Sequence, residues 1–275
     1  MTNRRRPPAE TSPSVRSTGD FGSVRIIGGK LRGRTIPLAD QSPTRPMKDR
    51  TREAVFNLVA DSVKGRLAVD LFAGTGVLGF EALSRGAARA LLLERHFPTA
   101  RQIQRSAQEL GVEDRVQVYP ADAFIWLRRL AEHTLSDDEG RPLELLPELQ
   151  SLPWVVFFSP PYDYFIQRQS DCLRVIEALW QIAPPDSILV VESDERFDPE
   201  RLPRPDAWIA RTYAPAIISI AWTGQDDSTG EYDESADEDE MTDDDELIED
   251  DDLAEDDELA EDDESSDDEG AGVES

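Results

Sequence analysis

The sequence predicts an α/β fold, a parallel sheet covered by helices on both faces, and three observations carry that prediction. From Leu67 onward, short apolar runs alternate with segments of helical length, the order that winds strands side by side with crossover helices. One run, Val69-Asp70-Leu71-Phe72, enters a glycine-rich turn, Ala73-Gly74-Thr75-Gly76-Val77-Leu78-Gly79, that opens a helix. Another run, Trp154 to Phe158, stops at Ser159-Pro160-Pro161-Tyr162, where two prolines end strand pairing.

In chain order, residues 1–22 are rich in Arg, Pro, Ser and Thr without periodicity and are expected to be disordered. Val24 to Ile27, Gly28-Gly29 and Lys30 to Leu38 read as a β-hairpin whose Lys30, Arg32 and Arg34 alternate on a basic face. Pro43 to Met47 is a loop. Asp49 to Val63 carries Ala54, Val55, Leu58 and Val59 at amphipathic-helix spacing. Strands follow at 67–72, 89–94, 116–119, 154–158, 187–192 and 217–222. Helices lie between them at 79–85, 98–110, 123–131 and 166–181, with a Pro- and Leu-containing insertion at 133–153. Phe56, Leu58, Trp126, Trp154, Trp180 and Trp208 sit on apolar patterns and are assigned to packing. The tail repeats a six-residue unit, Leu253-Ala-Glu-Asp-Asp-Glu and Leu259-Ala-Glu-Asp-Asp-Glu. Six matches no helical period, and like-charge repulsion opposes a compact state.

Charge is unevenly placed. The chain holds 58 acidic and 29 basic residues, and residues 226–275 hold 29 of the acids with no Lys or Arg, so the body is formally neutral. Residues 1–52 hold 12 basic residues against four acids, the balance of a surface that binds a phosphate backbone. Cys172 is the only cysteine and His96 and His133 the only histidines, which excludes a disulfide framework and argues against a structural zinc. No metal is expected. Arg4-Arg5-Arg6 precedes no apolar run, and nothing approaches the roughly 20 apolar residues of a membrane span, so the expected location is cytoplasmic.

The glycine turn allows a nucleotide cofactor to lie against bare backbone. No Gly-Lys-Ser/Thr follows, which excludes a P-loop and leaves a dinucleotide or S-adenosylmethionine. The acids favour the second. Asp70, just before the turn, would repel a pyrophosphate but suits a cationic amino-acid moiety. Glu94 ends the next strand, where it can accept from two ribose hydroxyls. Asp122, after the third strand in Pro120-Ala121-Asp122-Ala123, can meet an adenine amino group.

With these residues the sequence resembles the class I S-adenosylmethionine-dependent methyltransferases. More closely it is similar to the RsmD family, which methylates N2 of a guanine in small-subunit (16S) rRNA. The resemblance covers about residues 24–222. It rests on Arg25-Ile26-Ile27-Gly28-Gly29 with Arg32-Gly33-Arg34, on Arg45-Pro46, and on Asp49-Arg50-Thr51-Arg52-Glu53-Ala54-Val55-Phe56-Asn57. It rests also on the Asp70–Gly79 turn with Glu81-Ala82, and on Glu94, Asp122-Ala123 and Pro160-Pro161-Tyr162.

The resemblance implies a Rossmann-like, doubly wound, seven-stranded sheet with its last strand antiparallel, and an N-terminal hairpin that engages rRNA. It sets an RNA-engaging hairpin and helix (23–65) before the methyltransferase domain (66–224), between a basic N-terminus (1–22) and an acidic tail (225–275) that composition alone marks as disordered. It assigns the cofactor to Asp70, Phe72, Ala73, Gly74, Thr75, Gly76, Gly79, Glu94, Asp122 and Ala123. It assigns RNA to Arg25, Lys30, Arg32, Arg34, Arg45, Arg50 and Arg52. The partner is 16S rRNA, within a 30S subunit or assembly intermediate, met by a monomer.

The family's catalytic lip reads Asp/Asn-Pro-Pro-Tyr/Phe. A side-chain oxygen and the first proline's carbonyl accept the two hydrogens of the target amine, and the ring stacks on a flipped base. Here the lip is Ser159, Pro160, Pro161 and Tyr162, and a Ser hydroxyl reaches less far and carries no charge. His96 departs from the family as well, standing where an acid more often follows the ribose-binding Glu. Glu192 fits the family's pattern without an assigned role. Two alternatives stay open: a catalytically weak RNA-binding homologue acting in ribosome assembly, and an amino methyltransferase on adenine N6 or a glutamine amide.

Overall fold

The structure, a computed structural model, describes residues 22–38, 47–131 and 148–224. The expectations for residues 1–21, for Arg45, for most of the insertion and for the acidic tail lie outside the described residues. The fold is the expected α/β one.

Seven strands form the main sheet: β3 (Leu67–Asp70), β4 (Arg89–Leu93), β5 (Val116–Tyr119), β6 (Trp154–Phe158), β7 (Ile188–Asp194), β8 (Ile209–Tyr213) and β9 (Ala216–Trp222). Their order is β5-β4-β3-β6-β7-β9-β8. Pairing is parallel from β5 through β7, while β9 runs antiparallel to both β7 and β8. The chain starts at β3 in the middle, moves outward to β5, then returns to β6 on the other side of β3. That reversal opens a crevice beyond the carboxyl ends of β3 and β6, the place where doubly wound sheets hold ligands.

Period-two alternation shows why both faces must be covered. Ala68, Ala90, Leu92, Val155, Phe157, Ile188 and Val190 enter one apolar cluster. That cluster packs against α1 (Asp49–Val59), α2 (Val77–Ser84) and α3 (Phe97–Leu110). Their neighbours Leu67, Val69, Leu91, Leu93, Trp154, Val156, Phe158, Leu189 and Val191 enter the other, with α4 (Ala123–Ala131) and α7 (Gln169–Ile182). Two short helices, α5 (Glu148–Ser151) and α6 (Tyr164–Gln167), flank β6. Trp126, Trp154 and Trp180 are buried as expected, and Trp208 packs at the edge of the second cluster.

Four elements differ from the sequence reading. The hairpin pairs β1 (Ser23–Arg25) with β2 (Thr35–Pro37), and residues 26–34 form the connection rather than a tight turn at Gly28-Gly29. The reason lies in α2. Ile27 and Gly28 donate their N–H groups to the Glu81 carboxylate at 2.9 and 2.7 Å, and Lys30 N donates to Ser84 O at 2.8 Å. Gly29 has φ +73°, and a Cβ there would lie 2.1 Å from Ser84 O. The glycine pair serves this docking instead of a turn.

The first helix ends at Val59 and tightens into a 3₁₀ turn, Ala60–Val63. The helix expected over 166–181 divides into α6 and α7 at Arg168. Strand β8 escaped the residue-level reading because it is an edge strand whose middle residues are exposed, leaving no apolar alternation to read.

Candidate active site

The crevice is a cavity of about 570 Å³ built around the carboxyl ends of β3, β4, β6 and β7. β3 ends in Asp70, which is 1% exposed and is not itself among the residues lining the cavity, although Leu71 to Thr75 directly after it are. Oδ1 accepts the Phe72 N–H at 3.2 Å, while Oδ2 is buried without a partner. Burial lifts the Asp70 carboxyl to about 7; the Phe72 N–H opposes the rise, and the nearby Glu94 and Glu192 charges add to it. A buried carboxylate with one oxygen unsatisfied is a strong call for a cationic, hydrogen-bonding ligand.

The turn after Asp70 is shaped by two glycines in the left-handed region, Gly74 (φ 53°) and Gly76 (φ 79°). Glu94 locks it to β4. Its Oε2 accepts Gly74 N at 2.9 Å and its Oε1 accepts His96 N at 2.7 Å. Each oxygen keeps a further lone pair for a ligand hydroxyl, since a carboxylate offers about four acceptor sites. Phe72, Ala73, Gly74 and Thr75 line the cavity, together with Asp122 and Ala123.

Gly76 and Gly79 act from behind. A Cβ on Gly79 would lie 2.3 Å from Leu92 Cδ2, so this glycine lets α2 close onto β4. Asp122 Oδ1 caps α4, accepting Phe124 N at 2.9 Å and Ile125 N at 3.1 Å. Above it Phe124 and Tyr164 make an aromatic wall, with Arg168 stacked 4.1 Å over the Phe124 ring.

The lip follows β6. Ser159 is half-buried, Pro160 buried and Pro161 exposed, and all three line the cavity with Tyr162. The Pro161 carbonyl accepts Tyr164 N at 2.8 Å and the Tyr162 carbonyl accepts Phe165 N at 3.1 Å, which folds the chain back as α6. No hydrogen bond from a described residue reaches the Pro160 carbonyl, so it stays open as an acceptor. Tyr162 Oη donates to Glu192 Oε1 at 2.8 Å across the β6–β7 boundary. Burial and the Glu192 charge raise the Tyr162 phenol, and burial raises the Glu192 carboxyl against hydrogen bonds from Tyr162 and Ser159.

Of the basic residues assigned to RNA, Arg25, Lys30, Arg32, Arg34 and Arg50 are exposed. Arg34 Nη2 donates to Glu109 O at 2.6 Å, leaving the rest of its guanidinium outward. Arg52 departs from the expectation, because its side chain is 0% exposed. It donates to Met47 O at 3.1 Å, Arg25 O at 2.7 Å and Asp49 Oδ1 at 2.9 Å, and its Nε lies 3.9 Å from Glu81 Oε2. Amphipathic spacing did not reveal this, since a buried arginine reads as a polar position. Its partner Glu81, fully buried, ties hairpin, α1 and α2 together.

The sequence reading also missed Met47, Lys48 and Thr51 at the start of α1, and Pro215 and Ala216 at the β8–β9 turn, which complete the cavity's outer half. No pattern marks them, because they meet only in the folded chain.

Comparison with known proteins agrees with this geometry. The family described as "Conserved hypothetical protein 95" matches residues 24–213. The ribosomal RNA small subunit methyltransferase D of Haemophilus influenzae is 30% identical over 175 residues, covering 63% of this chain and 80% of that protein. Its namesake in Escherichia coli K12 is 44% identical over 89 residues, covering 32% of this chain and 45% of that one. The solved structure of Escherichia coli yhhF is 27% identical, with TM-score 0.55, covering 74% of this chain and 100% of that chain. The 16S rRNA N2 G1207 methyltransferase of T. thermophilus, solved with AdoMet and guanosine, shares the fold at 16% identity and TM-score 0.52, covering 74% of this chain and 50% of that chain. With the family matched across most of the folded region, the chain belongs to the RsmD family of S-adenosylmethionine-dependent methyltransferases.

Proposed function

We propose that this protein methylates the exocyclic N2 of a guanine in small-subunit rRNA, presented by the 30S subunit or an assembly intermediate to a monomeric, cytoplasmic enzyme. The observation that carries the reading is the junction of two half-sites in one cavity. Leu71 to Thr75 of the glycine turn line the same space as Pro160 and Tyr162. Support for rRNA comes from the relatives named above and from the exposed Arg25, Lys30, Arg32, Arg34 and Arg50 on the hairpin and α1. Arg45 belongs with them by its place in the sequence, while Arg52 acts as an internal brace.

S-adenosylmethionine is the cofactor, and the residues present suit it. The ligand carries a cationic amino group, and Asp70 holds an unsatisfied buried oxygen. It carries two ribose hydroxyls, and Glu94 offers two oxygens already oriented by Gly74 and His96. It carries an adenine, and Asp122 with the cavity-lining rings of Phe72 and Tyr164 offers an acceptor and an aromatic face. When bound, it supplies a methyl group from its sulfonium to the target nitrogen.

The protein's own part is positional and electrostatic. Tyr162 stacks the flipped base, and its hydroxyl is pinned by Glu192, so the ring is held rather than free to swing. The Pro160 carbonyl accepts one amine hydrogen, and Pro161 fixes the backbone that aims it. Removing conjugation from the amine lone pair makes it nucleophilic. Lys48 and Thr51, at the mouth, are placed to meet the phosphate beside the base.

The test is methyl transfer from tritiated S-adenosylmethionine to unmodified small-subunit rRNA, naked and within reconstituted 30S particles. Label is expected in the RNA at a level well above that of a boiled-enzyme control. No incorporation into either substrate would remove the proposal.

A further inference from the structure

The lip lacks the carboxylate or amide that begins it elsewhere in the family, yet a carboxylate stands beside it. Phe158 of β6 pairs in register with Val191 of β7, so the next residues stand side by side: Ser159 just past the end of β6 and Glu192 still within β7. Glu192 is 7% exposed and lines the cavity with Ser159 and Tyr162. Its side chain accepts the Tyr162 hydroxyl at 2.8 Å, and the neighbouring Ser159 hydroxyl counters the rise that burial gives the Glu192 carboxyl. A serine Oγ that donates its proton to a carboxylate has its lone pairs left facing outward and is a better acceptor than an isolated hydroxyl.

We propose that Ser159 and Glu192 together replace the missing lip carboxylate: Ser159 Oγ accepts the second hydrogen of the target amine, and Glu192 positions and polarises it. This rests on the guanine-N2 reading above. In the transfer the sulfonium S–CH3 bond breaks as the N–CH3 bond forms, leaving a neutral thioether and a nitrogen with one proton too many. That proton passes to Ser159 Oγ while the serine's own proton passes to the Glu192 carboxylate. Serine ends neutral and Glu192 ends as the acid, which solvent deprotonates after product leaves. Ser159 touches the reacting amine and is catalytic, whereas Glu192 acts through it and is a positioning residue.

The experiment compares wild type, Ser159→Ala, Glu192→Gln, the double variant of these two, and Ser159→Asp in both the native and the Glu192→Gln backgrounds. Turnover on 30S particles, S-adenosylmethionine affinity by calorimetry and melting temperature are read for each. A working acid–base unit contributes about 10²-fold or more, so Ser159→Ala and Glu192→Gln are each expected to lower kcat about that much with cofactor affinity within about threefold. Their double variant is expected to lose no more than either alone, because one unit fails once. Ser159→Asp in the Glu192→Gln background, which puts a carboxylate back in the lip, is expected to restore kcat to within about tenfold of wild type.

A merely structural Glu192 would lower the melting temperature without rescue by Ser159→Asp. Full activity in Glu192→Gln, multiplying losses in the double variant, or failure of the rescue would each overturn the proposal. If Glu192→Gln does not fold, Glu192→Asp, which withdraws the charge by one methylene, carries the same comparisons. A wild type that is inert while Ser159→Asp transfers methyl would overturn the pair and leave the function standing. Inertness of both would overturn the function itself.

Discussion

Asp70→Asn is expected to stabilise the ligand-free protein at pH 8 while weakening S-adenosylmethionine binding about a hundredfold. The two effects have one cause. Asp70 sits fully buried with Oδ2 unpaired, and its pKa is raised to about 7. A carboxyl whose pKa rises on folding imposes no penalty below its unfolded value of about 4. The penalty grows as pH climbs through the interval to about 7 and is complete above it, on the order of 2–4 kcal/mol. Asparagine removes that charge. It also removes the counter-charge for the ligand's amino group, and a charged hydrogen bond of this kind is worth about 1.5–3 kcal/mol. Cofactor affinity of the native protein should therefore rise between pH 5.5 and 8, because Asp70 must shed its proton to bind a cation. Calorimetry across that range, with urea unfolding of both forms, checks it. An Asn variant that binds as wild type does, or a flat pH profile, would contradict the assigned role.

Arg52→Ala is expected to cost about 3–5 kcal/mol of stability, the loss typical of breaking a buried ion pair from one side. The guanidinium is fully buried, donates to three groups from Arg25, Met47 and Asp49, and faces Glu81 at 3.9 Å. Without it Glu81 keeps Arg85 at 2.9 Å and the Ile27 and Gly28 N–H groups, but the carbonyls of Arg25 and Met47 lose their donor. The hairpin's attachment to α1 loosens. Arg50→Ala, two residues earlier on α1 and exposed, should shift stability by less than about 0.5 kcal/mol. It should instead weaken rRNA binding and reduce the magnitude of the log–log salt slope by about one. Denaturant titration and filter binding at several salt concentrations separate the two arginines. Equal stability losses would show that the distinction drawn from burial is wrong.

That pair marks the boundary of what the sequence discloses. The strand–turn–helix at Asp70–Gly79 and the lip after Phe158 were legible because their chemistry depends on residues adjacent in the chain. Their placement at β3 and β6, adjacent parallel strands, follows from the reversal of strand order. Arg50 and Arg52 were not separable in sequence, because burial is a property of what packs against α1, and Glu81 comes from another helix. Lys48, Thr51 and Ala216 reach the cavity from segments distant in sequence and carry no motif. Strand β8 lacks the apolar alternation that a buried strand must show. Glu192 was visible as a strand-end acid. Its partnership with Ser159 appears only once β6 and β7 are aligned in register.

The account stands most directly on the atom that receives the methyl group. Unmodified 30S particles incubated with the protein and S-adenosylmethionine carrying a trideuterated methyl group can be digested to nucleosides and resolved by mass spectrometry. The account predicts label in N2-methylguanosine from a single site of the small-subunit rRNA. Label in N6-methyladenosine, in a protein glutamine, or in no product at all would contradict it.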